Sequence, residues 1–232
     1  MFKIFSKYKL IVKLSEKKDG PMSSSGFLVG KFDNKEIFYN RKIYFNKIGI
    51  GPELVVTTGS LHNNNISTVK DSHTGKILKN VDGLLTNQSG LFLSLTVADC
   101  LPLYLFDPKN QIVGLLHCGW RGIEKNIVEE GIKKMIKDFG SLPENILAGI
   151  GPGISKCHFE VGEDVAGRLG STEKFVDLKD LVNKKLLASG IKKENIEISP
   201  ECTHCLSEKY FSFRRDKPVK TQTMVAVIGM QK

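Results

Sequence analysis

The residues best suited to chemistry lie in one stretch, residues 95–122, which reads LTVADCLPLYLFDPKNQIVGLLHCGWRG. Two apolar runs flank Asp107-Pro108-Lys109-Asn110. That tetrapeptide is a turn signal, because Asp and Asn bond their own backbone and proline presets φ. A hairpin symmetric about it sets Cys100 opposite His117, and directly opposed residues hold their Cβ atoms about 4.5–5.5 Å apart. A thiol and an imidazole so placed have two chemical uses. As nucleophile and base they form a thiol hydrolase dyad. As ligands they need a third partner to hold zinc with an open catalytic position. His62, in the loop after the strand-like run 54–58, is the candidate. A His₂Cys zinc site acidifies a water, which is then a nucleophile near neutral pH. The competing structural use is a buried cysteine beside a histidine bonded to backbone. Asp99 beside Cys100, and Gly119-Trp120-Arg121-Gly122 after His117, concentrate polar groups at strand ends and weigh against it.

Three further patches carry candidate residues. Gly119 and Gly122 permit a tight turn before a helix. There, Arg121 and the helix's first amides can face an anion such as phosphate, or Arg121 can make a surface ion pair. Trp120 reads as core. Residues 148–162, AGIGPGISKCHFEVG, run a strand end into a Gly-Pro-Gly loop that fits a backbone-lined pocket but is not a P-loop. Cys157 and His158 are adjacent, and adjacent residues of a strand point oppositely, so packing is expected for Cys157 and a surface place for His158. In residues 202–216, CTHCLSEKYFSFRRD, the pair Cys202-x-x-Cys205 is half a zinc knuckle. With no second C-x₂-C in the chain, a structural zinc finger is disfavoured. Tyr210, Phe211 and Phe213 stack on a purine or merely pack, and Arg214 and Arg215 are suited to clamping phosphate or ribose oxygens.

These residues must be positioned by regular elements. Strand-like runs are 9–13, 27–29, 54–58, 83–85, 91–97, 103–106, 112–117, 146–150, 196–199 and 224–228. A helix is expected over 122–140, where Ile123, Ile127, Val128, Ile132, Met135, Ile136 and Phe139 form one stripe and Gly140 suits C′. A second runs from about 178 to 189 and stops at Gly190. Hairpins in the middle and helices later imply an α+β or α/β class with a mixed sheet. No internal repeat is present, and the softest stretch, 17–25, is too short to separate domains. One domain over 1–232 is expected.

Composition excludes several function classes. The 232 residues are 41% hydrophobic and 25% charged, as in ordinary globular chains and unlike disordered or collagenous ones. The longest apolar stretch, 91–106, is broken by Ser94, Thr96 and Asp99, so no membrane span is expected. The N-terminal segment alternates lysine with apolar residues and lacks an h-region, so it does not read as a secretory signal. Five cysteines, an odd number, then suggest reduced thiols in the cytoplasm. The net charge of +9 comes mostly from lysines scattered among acids, with no basic run interleaved with aromatics. That argues for a solvated surface and against a nucleic-acid partner.

T-V-A-D-C-L-P-L, H-C-G-W-R-G, A-G-I-G-P-G-I-S-K-C-H-F-E-V and Y-F-S-F-R-R-D, in this order and spacing, closely resemble the YfiH-like family. That family is also called the laccase-domain, multicopper polyphenol oxidase or peptidoglycan editing factor family. The resemblance is good from about residue 83 to the C-terminus and weaker before it. Asn40-Arg41 matches the family's N-R pair, and His62 its Q-V-H histidine, although this chain reads Ser60-Leu61-His62. The resemblance implies a layered single-domain α/β fold, with one zinc ion on His62, Cys100 and His117. It also implies purine nucleoside metabolism: phosphorolysis of adenosine, inosine, guanosine and methylthioadenosine, and deamination of adenosine. Arg41, Arg121, Arg214, Arg215 and Phe211 would then meet phosphate or nucleoside, while Asp99 or Glu160 would move protons. The enzyme would be a monomer or small homo-oligomer. Five histidines in all cannot furnish a blue-copper site and a histidine-rich trinuclear cluster together. The multicopper oxidase reading therefore falls, although copper can enter the zinc ligands in vitro. The rivals are a cytoplasmic amidase acting on peptidoglycan precursors through Cys100 and a non-enzymatic redox or metal-binding module using Cys202-x-x-Cys205.

Overall fold

The structure, a computed structural model, describes residues 2–23, 34–59, 62–217 and 222–232. In chain order its elements are β1 (Leu10–Leu14), α1 (Asn34–Lys47), β2 (Val55–Gly59), β3 (Ile66–Thr68), β4 (Ile77–Lys79), β5 (Gly83–Thr86), β6 (Phe92–Val97) and β7 (Leu101–Asp107). There follow β8 (Ile112–Cys118), α2 (Trp120–Glu124), α3 (Ile127–Phe139), β9 (Leu147–Ile150), α4 (Glu163–Arg168), α5 (Leu178–Ala188), β10 (Ile196–Ile198), α6 (Phe213–Asp216) and β11 (Met224–Met230). They form two mixed sheets, ordered β1-β11-β6-β2-β4 and β10-β9-β7-β8-β5-β3. The class is α+β, as the pattern of hairpins and later helices implies.

Side-chain alternation stacks these pieces into four layers. Leu93, Leu95 and Val97 of β6 and Ala226 and Ile228 of β11 meet Tyr104, Phe106, Val113 and Leu115 of β7 and β8, so the two sheets bury one face each against the other. The opposite residues of β7 and β8, among them Leu103, Leu105 and Leu116, pack on Ile132 and Met135 of α3 and Val182 of α5. The outer face of the first sheet (Ile11, Phe92, Val225, Val227) is covered by Tyr44 and Phe45 of α1. With both faces of each central strand buried, β7 and β8 read as continuous apolar runs rather than alternating ones.

Besides the unexpected α1, β3 and β4, two expected features are altered. The β7–β8 hairpin pairs Asp107 with Ile112 and Pro102 with His117, so Cys100 lies two residues before the position opposite His117. Residues 108–111 form the connection. The Asp107 carboxylate accepts the Lys109 and Asn110 amides at 2.9 and 3.2 Å, and Gln111 takes φ 52°. Because side chains alternate with period two, a shift of two keeps every residue on its expected face, whereas a shift of one would have reversed them. The helix expected over 122–140 is broken into α2 and α3 by Asn126 at φ 64°, a left-handed conformation that Asn tolerates. Gly140 does end α3, at φ 70°, with its amide donating to the Ile136 carbonyl. The expected strand 27–29 lies outside the described residues. No helix among the described residues is long and apolar enough to cross a membrane.

Candidate metal centre and its cavity

His117 sits near the end of β8, on the face that looks between the sheets, and is 3% exposed. The chain reaches Cys100 through Asp99 at φ 84° and His62 through a loop where it has φ 57° itself. Both are left-handed turns that aim side chains out of the strand pattern. Asp82, fully buried immediately before β5, ties the pieces together. Its carboxylate accepts the His62 amide at 3.1 Å, the Asn63 amide at 3.0 Å and His117 Nδ1 at 3.2 Å. Its carbonyl accepts the His117 amide at 2.8 Å. An acceptor at Nδ1 assigns the ring proton there and leaves Nε2 free as a ligand, the carboxylate–histidine–metal relation.

One ligand atom each from His62, Cys100 and His117 lies within 4.8 Å of the others. The two imidazoles meet edge to face with centroids 5.0 Å apart. Gly119 closes the cradle: a Cβ there would lie 2.9 Å from Cys100 Sγ, 3.2 Å from His62 Cδ2 and 3.7 Å from His117 Cε1. Burial works against a charged Cys100, but the charge and hydrogen bond of His117, then those of His62, outweigh it and hold the thiol below its usual range. Burial likewise opposes a charged His117, and the Cys100 thiolate and Asp82 outweigh it and hold the imidazole above its usual range. Neighbouring Cys118 points into the helix-covered core, where burial pushes its thiol far up and leaves it inert. One thiolate and two imidazoles around space that no Cβ fills match the donor set of a three-ligand zinc site with an open fourth position.

That open side faces a cavity of about 700 Å³, a size typical of small-molecule sites. Its walls include Arg41, Thr57, Trp120, Arg121, Phe159 and Arg214. Arg41, from α1, donates through Nη2 to Thr57 Oγ1 at 2.7 Å and through Nη1 to the Met22 carbonyl at 3.3 Å. Burial pulls its pKa down to about 10, which leaves it charged at neutral pH. Arg121 is exposed and lies over the Trp120 ring at 4.4 Å. Arg214 donates its amide to Asp99 and its Nη1 to the Glu160 carbonyl, both at 2.7 Å, with its guanidinium over Phe159.

Other candidates are placed differently from expectation. Arg215 donates to the carbonyls of Thr203, His204 and Tyr210 and to Asp216, so its guanidinium braces its own loop. Phe211 is buried between the sheets. Asp99 accepts Thr203 Oγ1 at 2.6 Å, Ser212 Oγ at 3.0 Å and the Arg214 amide. With its oxygens so engaged it positions the loop and is poorly set to move protons. The Glu160 carboxylate pairs with Lys174 at 2.6 Å on the surface, and that hydrogen bond holds it below its usual range, the wrong direction for an acid. Cys157, expected to pack, is exposed, because residues 155–158 form a turn rather than a strand. Sequence reasoning missed Asp82; an acidic residue between Val81 and Gly83 at the mouth of an apolar strand was the available signal.

Fold and site together define an α+β protein of two stacked mixed sheets, with a His₂Cys cluster at the wall of a small-molecule cavity. Residues 23–231 match the family described as multi-copper polyphenol oxidoreductase laccase, and the chain belongs to that family. It is 32% identical over 217 residues to a Bacillus subtilis protein named purine nucleoside phosphorylase YlmD, covering 84% of this chain and 78% of that one. Over 186 residues it is 31% identical to a Bacteroides thetaiotaomicron protein named purine nucleoside phosphorylase, covering 71% and 69% of the two chains. The crystal structure of YlmD from Geobacillus stearothermophilus superposes with a TM-score of 0.92 at 27% identity, covering 100% of this chain and 94% of that one.

The multicopper arrangement in the family's description finds little support in this site. Of the five histidines, only His62 and His117 share the cavity. His73 bonds locally to Lys70, and His158 stacks on His204 elsewhere. No histidine-rich trinuclear arrangement exists among the described residues.

Proposed function

We propose that the protein is a zinc-dependent purine nucleoside phosphorylase that also deaminates adenosine, taking adenosine, inosine, guanosine and methylthioadenosine. The observation that carries this reading is one cavity that joins a three-ligand metal cluster to three guanidinium groups and the aromatic side chains of Trp120, Phe159 and Phe213. The phosphorylase names of its relatives support it.

In phosphorolysis a phosphate oxygen bonds to C1′ of the ribose while the C1′–N9 bond breaks. The base leaves with that electron pair and takes up a proton. Arg41 and Arg214 suit the phosphate, being charged, half-buried and already oriented by Thr57 and by Glu160. Trp120 and Phe159 offer apolar surface for the base. His62, Cys100 and His117 would hold zinc, and Asp82 fixes the tautomer and direction of His117. Bound there, zinc supplies Lewis acidity and lowers the pKa of a water. In deamination, water replaces the 6-amino group of adenine and ammonia leaves.

A cysteine amidase is the second reading, favoured by the lowered Cys100 thiol beside His117. The deciding experiment incubates zinc-loaded protein with adenosine, with and without phosphate, and resolves the products. Adenine and ribose 1-phosphate formed only with phosphate, together with inosine formed without it, are expected. Unchanged adenosine in both arms would overturn the nucleoside reading. An amide-cleaving activity that survives chelation but not alkylation of Cys100 would establish the amidase.

A further inference from the structure

The geometry points to a second, structural zinc site, separate from the cavity centre, built from Cys157, His158, Cys202 and Cys205. One ligand atom from each lies within 4.8 Å of the others. Cys157 Sγ and Cys205 Sγ are 3.7 Å apart, and His158 Nδ1 is 3.1 Å from the first and 3.3 Å from the second. With Zn–S of about 2.3 Å and Zn–N of about 2.05 Å, a tetrahedral ion sets S···S edges near 3.8 Å and S···N edges near 3.6 Å. The observed S···S edge matches, the two S···N edges are shorter by about 0.3–0.5 Å, and the remaining ligand atoms lie within 4.8 Å.

The surroundings match a closed thiolate site. Cys202 Sγ accepts the Ser155 amide at 3.4 Å and backbone hydrogen bonds from His204 and Cys205, two residues of its own C-T-H-C turn. Amides aimed at sulfur stabilise thiolate over thiol. Three thiolates and one imidazole around Zn²⁺ carry one net negative charge, and the buried Lys179 ammonium acts on both Cys202 and Cys157. Lys179 also donates to the Ser199 and Glu201 carbonyls at 2.8 and 2.7 Å and to Ser155 Oγ at 3.2 Å, so it ties together the two loops that supply the ligands. His158 stacks on His204 with centroids 3.8 Å apart, which fixes the plane of the ligating ring.

The site has a structural consequence for the cavity. Thr203, inside the C-T-H-C turn, donates Oγ1 to Asp99 at 2.6 Å, and Asp99 precedes Cys100. An ion that clamps residues 155–158 to residues 202–205 therefore braces the loop that presents a ligand of the first centre.

The test is elemental analysis of the full chain, purified under reducing conditions with zinc as the only added metal. Two zinc ions per wild-type chain are expected, with one remaining in Cys157→Ser, in Cys205→Ser and in Cys100→Ser. A parallel measurement on the wild type avoids dependence on variant folding. Cys157 and Cys205 are exposed, yet their alkylation, followed by mass spectrometry, should be blocked by zinc and released by a chelator. A single zinc per wild-type chain that Cys100→Ser abolishes would overturn the proposal. So would alkylation of Cys157 and Cys205 at the same rate with and without zinc.

Discussion

Replacing Gly119 with alanine separates the metal centre from the fold. The backbone there has φ −77° and ψ 162°, so alanine brings no conformational strain. The new Cβ would stand 2.9 Å from Cys100 Sγ and 3.2 Å from His62 Cδ2, where non-bonded carbon contacts settle at about 3.5–4.0 Å. The sulfur must retreat by about 0.6–1 Å, several times the ±0.2 Å tolerance of a metal–ligand bond. Loss of an outer-shell partner costs about 10–100-fold in metal affinity; displacement of a ligand should cost at least the upper figure, about 2.7 kcal/mol. Stability should barely change, because a weaker N-cap and the reduced entropy of the unfolded chain roughly offset each other at a few tenths to 1 kcal/mol. The metal-free melting temperature should then stay within about 4 °C of wild type. The assay titrates zinc and reads protection of Cys100 from alkylation by mass spectrometry, which reports this centre alone. Half-protection of Cys100 in Gly119→Ala at the same free zinc as wild type would refute the steric reasoning.

Three other outcomes follow from the same geometry. Asp82→Asn keeps the side chain's shape but removes the charge that orients His117, so zinc affinity read on Cys100 should fall about 10–100-fold; an unchanged affinity would deny Asp82 that role. Arg41→Met, which removes a charge-assisted donor from the cavity, should raise KM for phosphate about 10–150-fold at little cost in Tm, whereas Arg215→Met should lower Tm and leave that KM alone; the opposite split in kinetics and thermal melts would contradict the placement of both arginines. In protein stripped of metal, His117 holds Cys100 as thiolate, so its alkylation rate should persist as pH falls below the free-cysteine value of about 8.5 and decline only when the thiolate is protonated. A rate midpoint at or above that value would show the pair uncoupled.

Much of this arrangement is legible in the sequence, for physical reasons that differ by element. β7 and β8 announce themselves because both faces are buried and their runs are uninterrupted. The expected pairing of Cys100 with His117 is off by two in register, with Pro102 opposite His117, yet the thiol and the imidazole still come within 4.8 Å of each other. Helix α1 escapes notice: NKEIFYNRKIYFNK spreads its apolar residues around the helix, leaving Phe38 and Tyr39 more than 60% exposed. The short strands β3 and β4 are half-polar and held by their neighbours. Arginine types could be listed but not sorted, since Arg215 and Arg214 are adjacent yet only the second faces the cavity. Cys157-His158 and Cys202-x-x-Cys205 are some 45 residues apart and contribute from two separate loops, so no local spacing rule joins them.

The most direct measurement of the central claim quantifies zinc at the His62–Cys100–His117 centre and product formation on one preparation. Zinc-loaded protein is given adenosine and phosphate, alongside Cys100→Ser. Wild type should release ribose 1-phosphate in an amount equal to adenine plus hypoxanthine, while Cys100→Ser should lose one zinc and these products together. Adenine release by Cys100→Ser at the wild-type rate, or none by fully loaded wild type, would contradict it.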